Sequence, residues 1–391
     1  MLKVTIEPLE TVFFRDHRPF EAGVDALAGS ILPSPLTVFG FIGASYLEKK
    51  GVSIEAFRQN GNEKLGPYDP TLNKTKMKIK GPFFSYRGRT YFPPPASLWS
   101  SGNNTRVHYL LPRAAEQWHG SWDGSSEVGM ERLIPLVIPV FTDKNSKQPE
   151  PLSEYLSDKG IQHFLRQERM IVRDFTEDEE TLFESETRFG IASNKEAGTA
   201  ESGYLYRARH LRFREHMHAK DCAKASFVVF VDGLDLGDLP EGIARFGGEG
   251  RNVSITSKDF GITTPFPLDK DTIEKICERK KLCIYFLTPS IFKEGWHNCL
   301  NIKDFRKLSL AGAAVNKPLF ISGWSRSGTG AGGNPRHLFK AIPAGSVYFY
   351  EIQGEWLKND IEYFYNKYHF NESISDYYRH AGFGTVLVGV W

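Results

Sequence analysis

The stretch Phe246-Gly247-Gly248-Glu249-Gly250-Arg251 constrains this chain most, because the residues on either side follow different periods. Before it, Leu239 to Arg245 reads as a helix; after it, Arg251 to Thr256 alternates like a strand. The C-terminus repeats the order. Asn359 to Tyr368 reads as a helix, Gly382-Phe383-Gly384 as the loop, and Thr385 to Trp391 as an apolar last strand. Two glycine loops, each closing a helix and opening a strand, predict two copies of one α/β unit, with backbone N–H groups free to approach a ligand. The plain alternative is a tight connection using Gly at a helix C-cap.

At 391 residues the chain is long enough for two domains, each with its own core. Its 49 Lys and Arg against 47 Asp and Glu leave a net charge of +2, so a polyanion must be met by a local patch. A general nucleic-acid coat is excluded on that ground. No apolar run reaches the length of a membrane span, and Met1 to Asp16 carries charges every few residues, which predicts a soluble, unexported, cytoplasmic protein without a membrane partner. Cys222, Cys277, Cys283 and Cys299 lack CxxC and zinc spacing, so reduced core thiols are expected and neither metal nor cofactor is called for. Aromatics reach 13%, more than a typical core needs, which leaves some for stacking although packing accounts for most.

In chain order, Leu2 to Glu7 and Thr11 to Phe14 read as strands, followed by the charged segment Arg15-Asp16-His17-Arg18. Ser34-Pro35 is an N-cap with Pro at the first helical position, opening the helix Leu36 to Lys49. From about 51 to 186 the text turns Pro-, Gly- and polar-rich, as in a long insertion. Within it lie strand-like runs (Met77 to Arg87, Thr90 to Phe92), a helical Ser153 to Gln167 and the acidic run Thr176 to Glu186. Next come Arg188 to Ile191 and Gly203 to Arg214. If the latter is a strand, period two puts Tyr204, Tyr206, Ala208, His210, Arg212 and Arg214 on one face, with Arg207 and Arg209 on the other. Arginines interleaved with aromatics suit single-stranded nucleic acid; the ordinary alternative is Arg set against neighbouring carboxylates.

With the strand Phe227 to Val231, the first half reads strand, helix, strand, strand, helix, strand, the ferredoxin-like order. The second half restarts with a helix at Asp271 to Lys280 and a strand at Leu282 to Thr288, and continues through Pro318 to Trp324 and a hairpin-like pair, Arg336 to Ile342 with Ser346 to Ile352. The expected fold class is therefore α+β, with two ferredoxin-like (RRM-like) domains at 1–262 and 263–391, built on antiparallel sheets. Gly323 to Gly333 is no dinucleotide fingerprint, since Asn334-Pro335 follows where a helix should begin; it reads as a loop, with Arg326 as a phosphate contact.

Thr11 to Phe20, Ser30 to Gly40, Gly81 to Phe84 with Tyr91 to Pro95, Arg188 to Ile191 with Gly203 to Tyr206, Phe246 to Arg251, Ala341 to Tyr348 and Gly382 to Gly389 form an ordered set of motifs across nearly the whole chain. Together they resemble the family of third subunits of the Cmr (type III-B) CRISPR effector complex, within the RAMP superfamily. The resemblance implies two ferredoxin-like domains and a place at the foot of a ribonucleoprotein, beside the large palm-domain subunit and a backbone-type RAMP subunit. It further implies that the chain holds the 5′ tag of the crRNA. Carried onto this sequence, the tag contacts fall on Arg15, His17 and Arg18, on Gly247, Gly248, Gly250 and Arg251, and on Gly382 and Gly384. A loop between Arg188 and Tyr204 would act like the thumb that props open the guide in related subunits.

RNA held by backbone N–H groups and arginines needs no nucleophile. The rival reading is a metal-independent endoribonuclease with His17, His210, His216 or His218 as acid or base, since related RAMP proteins process guide RNA that way. His216-x-His218 makes a poor metal site, with two ligands and no matching third. A third reading is a protein adaptor whose loops serve only subunit contacts.

Overall fold

In the computed structural model of this protein, the described residues are 1–14, 27–28, 32–69, 72, 74–101, 107–112, 136–137, 149–171, 176–177, 182–194, 199–218, 221–261, 264–296, 308–325 and 334–391. The first part of the chain supplies β1 (Leu2–Pro8), α1 (Pro35–Lys49), β2 (Lys78–Tyr86), β3 (Arg89–Phe92), β4 (Tyr155–Ser157), α2 (Asp158–Leu165), β5 (Thr176–Glu177), β6 (Phe183–Asn194), β7 (Thr199–Phe213), β8 (Ser226–Asp232), β9 (Gly242–Phe246) and β10 (Arg251–Asp259). The second supplies α3 (Lys270–Arg279), β11 (Lys281–Phe286), β12 (Leu308–Ala314), β13 (Val347–Ile352), α4 (Lys358–Tyr368) and β14 (Val386–Gly389).

The two largest sheets among the described residues run β5-β4-β3-β2-β8-β1-β10-β9 and β12-β13-β11-β14. Within the first, β2, β8, β1 and β10 pair antiparallel throughout; so do all four strands of the second. Numbered along the chain, both foursomes lie in the spatial order second, third, first, fourth, the strand order of a split β-α-β unit. Each keeps one crossover of this kind helical among the described residues, the first also carrying the short helix Ile54–Asn60. In the first, α1 links β1 to β2; in the second, α4 links β13 to β14 while α3 precedes β11. The chain is thus a mixed α+β protein with antiparallel sheets.

Local chemistry sets the helix starts. Ser34 accepts the Thr37 N–H at 3.3 Å with Pro35 in the first turn, as the sequence predicts for α1. Ser157 caps α2 by accepting the Gly160 N–H at 3.3 Å. The helix expected from Ser153 is therefore shorter, and Tyr155–Ser157 joins the sheet instead.

Three other expectations fail. Leu239, Ile243 and Phe246 have helical spacing, yet no helix forms: Ile243 is 75% exposed while Ala244 and Phe246 pack inward, a period of two, and β9 is an edge strand. Pro240 and Gly242 both oppose a helix there. The expected insertion does not begin at 51, because β2 is an inner strand of the sheet; the proline- and glycine-rich flanks masked its alternation. Finally, Phe339–Ala341 pairs with Leu319–Ile321, not with β13.

Alternation divides the interior into three clusters. From β8, Phe227, Val229 and Val231 face α1, while Val228 and Phe230 face the other way. From β11, Leu282, Ile284 and Phe286 face α3 and α4, whereas Cys283 and Tyr285 join Phe83, Phe230, Phe349 and Leu387 in a cluster between the sheets, with Phe164 and Leu165 of α2 in the seam. The largest fully buried side chains are all Tyr or Phe, so the aromatic excess goes mainly into packing. No described helix is long and apolar enough to cross a membrane.

Candidate nucleic-acid interface

Because β9 and β10 are antiparallel neighbours with Phe246 opposite Arg251, the first glycine loop is a hairpin tip. Gly247 and Gly250 are exposed and have φ of 78° and 60°, the left-handed region that favours glycine. Close packing adds a second need. A Cβ on Gly247 would lie 2.8 Å from the Phe13 carbonyl oxygen, and one on Gly248 2.8 Å from the Phe13 ring. The Gly248 N–H donates to that same carbonyl at 2.7 Å. The loop thus seats on Phe13 and Phe14, and the latter directly precedes Arg15.

Around this seat the charges converge. Arg251 donates from Nη1 to Glu10 at 3.1 Å and from Nη2 to Glu249. Glu10 also accepts the Asn252 N–H at 2.9 Å, and that bond, with Arg251, draws its carboxyl below the usual range. His210 is 1% exposed, stacks on Phe13 at 5.2 Å, lies 3.2 Å from the Thr11 hydroxyl and 3.9 Å from the Glu249 carboxylate. Burial lowers its pKa, with Glu249 opposing. Such a ring is a packed, hydrogen-bonded group and not an accessible acid or base.

The β6–β7 ribbon rises from the same place. Val12 and Leu211 exchange backbone hydrogen bonds at 2.9 and 2.8 Å, tying the ribbon root to the segment under the loop. On one face Arg188 meets Glu186 at 2.8 Å, Arg212 meets Glu186 at 2.6 Å and Arg214 meets Glu184 at 3.2 Å. Arg188 is therefore neutralised by a carboxylate, the ordinary alternative for an arginine strand. Arg209 is exposed on the opposite face, with no ion-pair partner among the described residues. Tyr204, Tyr206 and Arg207 lie within β7, with Tyr206 opposite Gly190 and Arg207 opposite Phe189; their side chains fall outside the description. So do those of His216 and His218, while Arg15, His17, Arg18 and Arg326 lie wholly outside the described residues.

The second glycine loop is no cradle. Gly382 and Gly384 are buried, and their N–H groups already donate to Arg379 and Pro289 carbonyls at 3.3 and 2.8 Å. A Cβ on Gly382 would come within 3.0 Å of the Gly81 carbonyl and 3.1 Å of Ile79. Ile79 pairs with Val231 and that with Leu2, the end of the first sheet remote from the hairpin, where Pro8 pairs with Val253. The expected contacts at Gly382 and Gly384 thus fall on residues that the fold buries, at the end of the first sheet opposite the hairpin. Sequence reasoning also missed Glu10 and Glu249 as partners of Arg251, although Glu249 lies inside the glycine motif, two residues from the arginine.

Among the described residues no three His, Cys, Asp or Glu gather as a metal site. A family model described as CRISPR-associated protein (Cas_Cmr3) matches residues 4–391. The chain is similar to the CRISPR system CMR subunit Cmr3 of Saccharolobus solfataricus, at 25% identity over 269 residues, 68% of this chain. The match spans 66% of that relative's length, just under two thirds. Among solved structures, it is similar to a chain of the type III-B Cmr-beta bound to cognate target RNA and AMPPnP, with TM-score 0.45, 18% identity and coverage of 93% of this chain and 89% of the other. A chain of the Csm3-Csm4 subcomplex of the type III-A interference complex matches with TM-score 0.38 and 11% identity, over 100% and 99% of the two chains. At that distance neither likeness adds to the strand order above.

Proposed function

The chain belongs to the Cas_Cmr3 family of CRISPR-associated proteins, and from that membership we propose that it is a non-catalytic, guide-RNA-binding subunit of a type III-B effector complex. In this reading it holds the 5′ tag of the crRNA and docks against the large palm-domain subunit and an adjacent backbone RAMP subunit in the cytoplasm. The two foursomes of strands act as two ferredoxin-like domains, 1–262 and 263–391, whose inner sheet faces are committed to each other. RNA therefore meets loops, edges and the part of the first sheet that lies outside the shared cluster, and not the face between the sheets.

One observation carries the proposal. The exposed Gly247–Gly250 hairpin, Arg251, Arg188 and the root of the β6–β7 ribbon converge where the chain enters the Arg15–Arg18 segment. Arg251 and the segment Arg15, His17 and Arg18 supply phosphate contacts, the glycines allow close approach of backbone, and the ribbon stands beside the bound strand as a thumb. Nothing in this arrangement requires a nucleophile.

The test is charge reversal at Arg251 in the assembled complex. Arg251→Glu should strip RNA from the complex while subunit stoichiometry stays constant, with Arg251→Gln intermediate. Unchanged RNA content with intact assembly would leave an adaptor role instead. Affinity of the unsubstituted protein for a tag-bearing RNA should also fall steeply with salt.

A further inference from the structure

The face of the first sheet turned away from α1 is covered only in part. The cluster between the sheets covers β3, β2 and β8 through Phe92, Phe83, Val228 and Phe230, but among the described residues it takes no buried side chain from β1, β10 or β9. On β10, Asn252, Thr256 and Lys258 are exposed, and Arg245 is exposed on β9. Register sets Lys3 directly opposite Lys258, Thr5 opposite Thr256, and Arg245 opposite Asn252, all on this face.

Two lysines opposite one another on adjacent strands repel. Neither has a carboxylate within ion-pair distance among the described residues. Lys3 leans away to the Thr90 hydroxyl at 3.4 Å. Its pKa is lowered, first by burial and then by Lys258, with Asp158 opposing. The carboxylate on the strip, Glu7, lies 3.6 Å from Lys224, which offsets it. Lys258 and Arg245, with the partly buried Lys3 between β1 and β10, are left without an ion pair among the described residues, beside the hydroxyls of Thr5 and Thr256.

We propose that this open face of β1, β10 and β9 is a second RNA-contacting surface, across which the phosphodiester backbone of the strand held at the Gly247–Gly250 hairpin continues. It rests on the RNA-binding reading of that hairpin and extends it. Three features favour a phosphodiester chain over an acidic protein. Cations alternate with hydroxyl and amide donors, the side chains that contact phosphate. The strip lacks the aromatic centre that marks a protein interface, its large exposed hydrophobes among the described residues being Ile243 on β9 and Leu9 just past β1. It also runs without a break into the hairpin, since the Arg245–Asn252 pair precedes the Phe246–Arg251 pair that closes it. From Asn252 to Lys258 the strip is roughly 20 Å long at about 3.3 Å per residue, room for several nucleotides.

The experiment is a salt titration of binding to a fluorescent single-stranded RNA by the full chain and by the double variant Lys258→Ala/Arg245→Ala. Both side chains are exposed and form no ion pair among the described residues, so folding should be unaffected, which a melting curve checks. The slope of log affinity against log salt should become shallower by about 1.4, near 0.7 for each phosphate contact removed. An unchanged slope in the double variant, with affinity still lost in Arg251→Glu, overturns the strip and leaves the hairpin reading standing. If all the variants bind like the parent, both readings fall. Loss of a protein subunit from the complex at constant slope would instead make the face a protein contact and overturn the proposal.

Discussion

Arg251 occupies the candidate site in a closed state. Both terminal nitrogens face carboxylates, Glu10 at 3.1 Å and Glu249, so a phosphate at the guanidinium competes with both and gains most by displacing one of them. Glu10 is tied down by the Asn252 N–H, whereas Glu249 sits on the exposed hairpin with φ of 62°, an uncommon conformation for a residue with a Cβ. Glu249 is therefore the partner that moves. Glu249→Gln keeps the shape, removes a charge that competes with phosphate, and should tighten RNA binding by about 1.4-fold to fivefold, the range of a partly exposed ion pair. A fluorescence titration at fixed salt decides it; weaker binding would mean that the carboxylate itself contacts the RNA.

At the scale of the element, the two glycine loops look alike in sequence and sit in opposite surroundings, one exposed and one buried. Gly382 has φ of 91° and a carbonyl 3.0 Å from where a Cβ would stand, so Gly382→Ala should destabilise the fold by about 1–3 kcal/mol while the folded fraction binds RNA normally. Gly248→Ala drives a methyl into the Phe13 ring under the hairpin and should lower RNA affinity instead. Comparing urea midpoints with RNA titrations separates them, and RNA loss in Gly382→Ala without lost stability would restore that loop as a cradle. The need for glycine was legible at both positions, but its cause was not. Whether a glycine admits a ligand or a neighbouring strand depends on what the fold brings to it, here Phe13 in one case and Gly81 in the other. Likewise the N-cap at Ser34 was legible because it is local. The Leu239 to Arg245 segment was misread because Leu239, Ile243 and Phe246 mimic helical spacing, and only tertiary packing reveals that Ile243 points to solvent.

For the whole molecule, the cluster shared by the two sheets decides how it fails. Tyr285, Phe349 and Leu387 share one buried cluster with Phe83, Phe230 and the α2 side chains Phe164 and Leu165, so losing the second sheet exposes the inner face of the first. The two should unfold together, and His369 gives acid a trigger in the second of them. His369 is 6% exposed, with its ring nitrogens 3.0 Å from the Val388 backbone and the Tyr365 hydroxyl, and burial draws its pKa from 6.5 to about 3. The unfolded chain takes up a proton below 6.5 that the folded ring refuses, so stability present above 6.5 drains as pH falls toward 3. From pH 7 to pH 5 that amounts to roughly 2 kcal/mol from this residue, and His369→Gln should flatten the dependence by that amount in urea unfolding. Peptide-resolved hydrogen exchange on the unsubstituted protein at pH 5 should then show β1 and β8 opening in the same event as β11 and β13. Protection retained in β1 and β8 after the second sheet has opened would show two independent domains joined only by sequence.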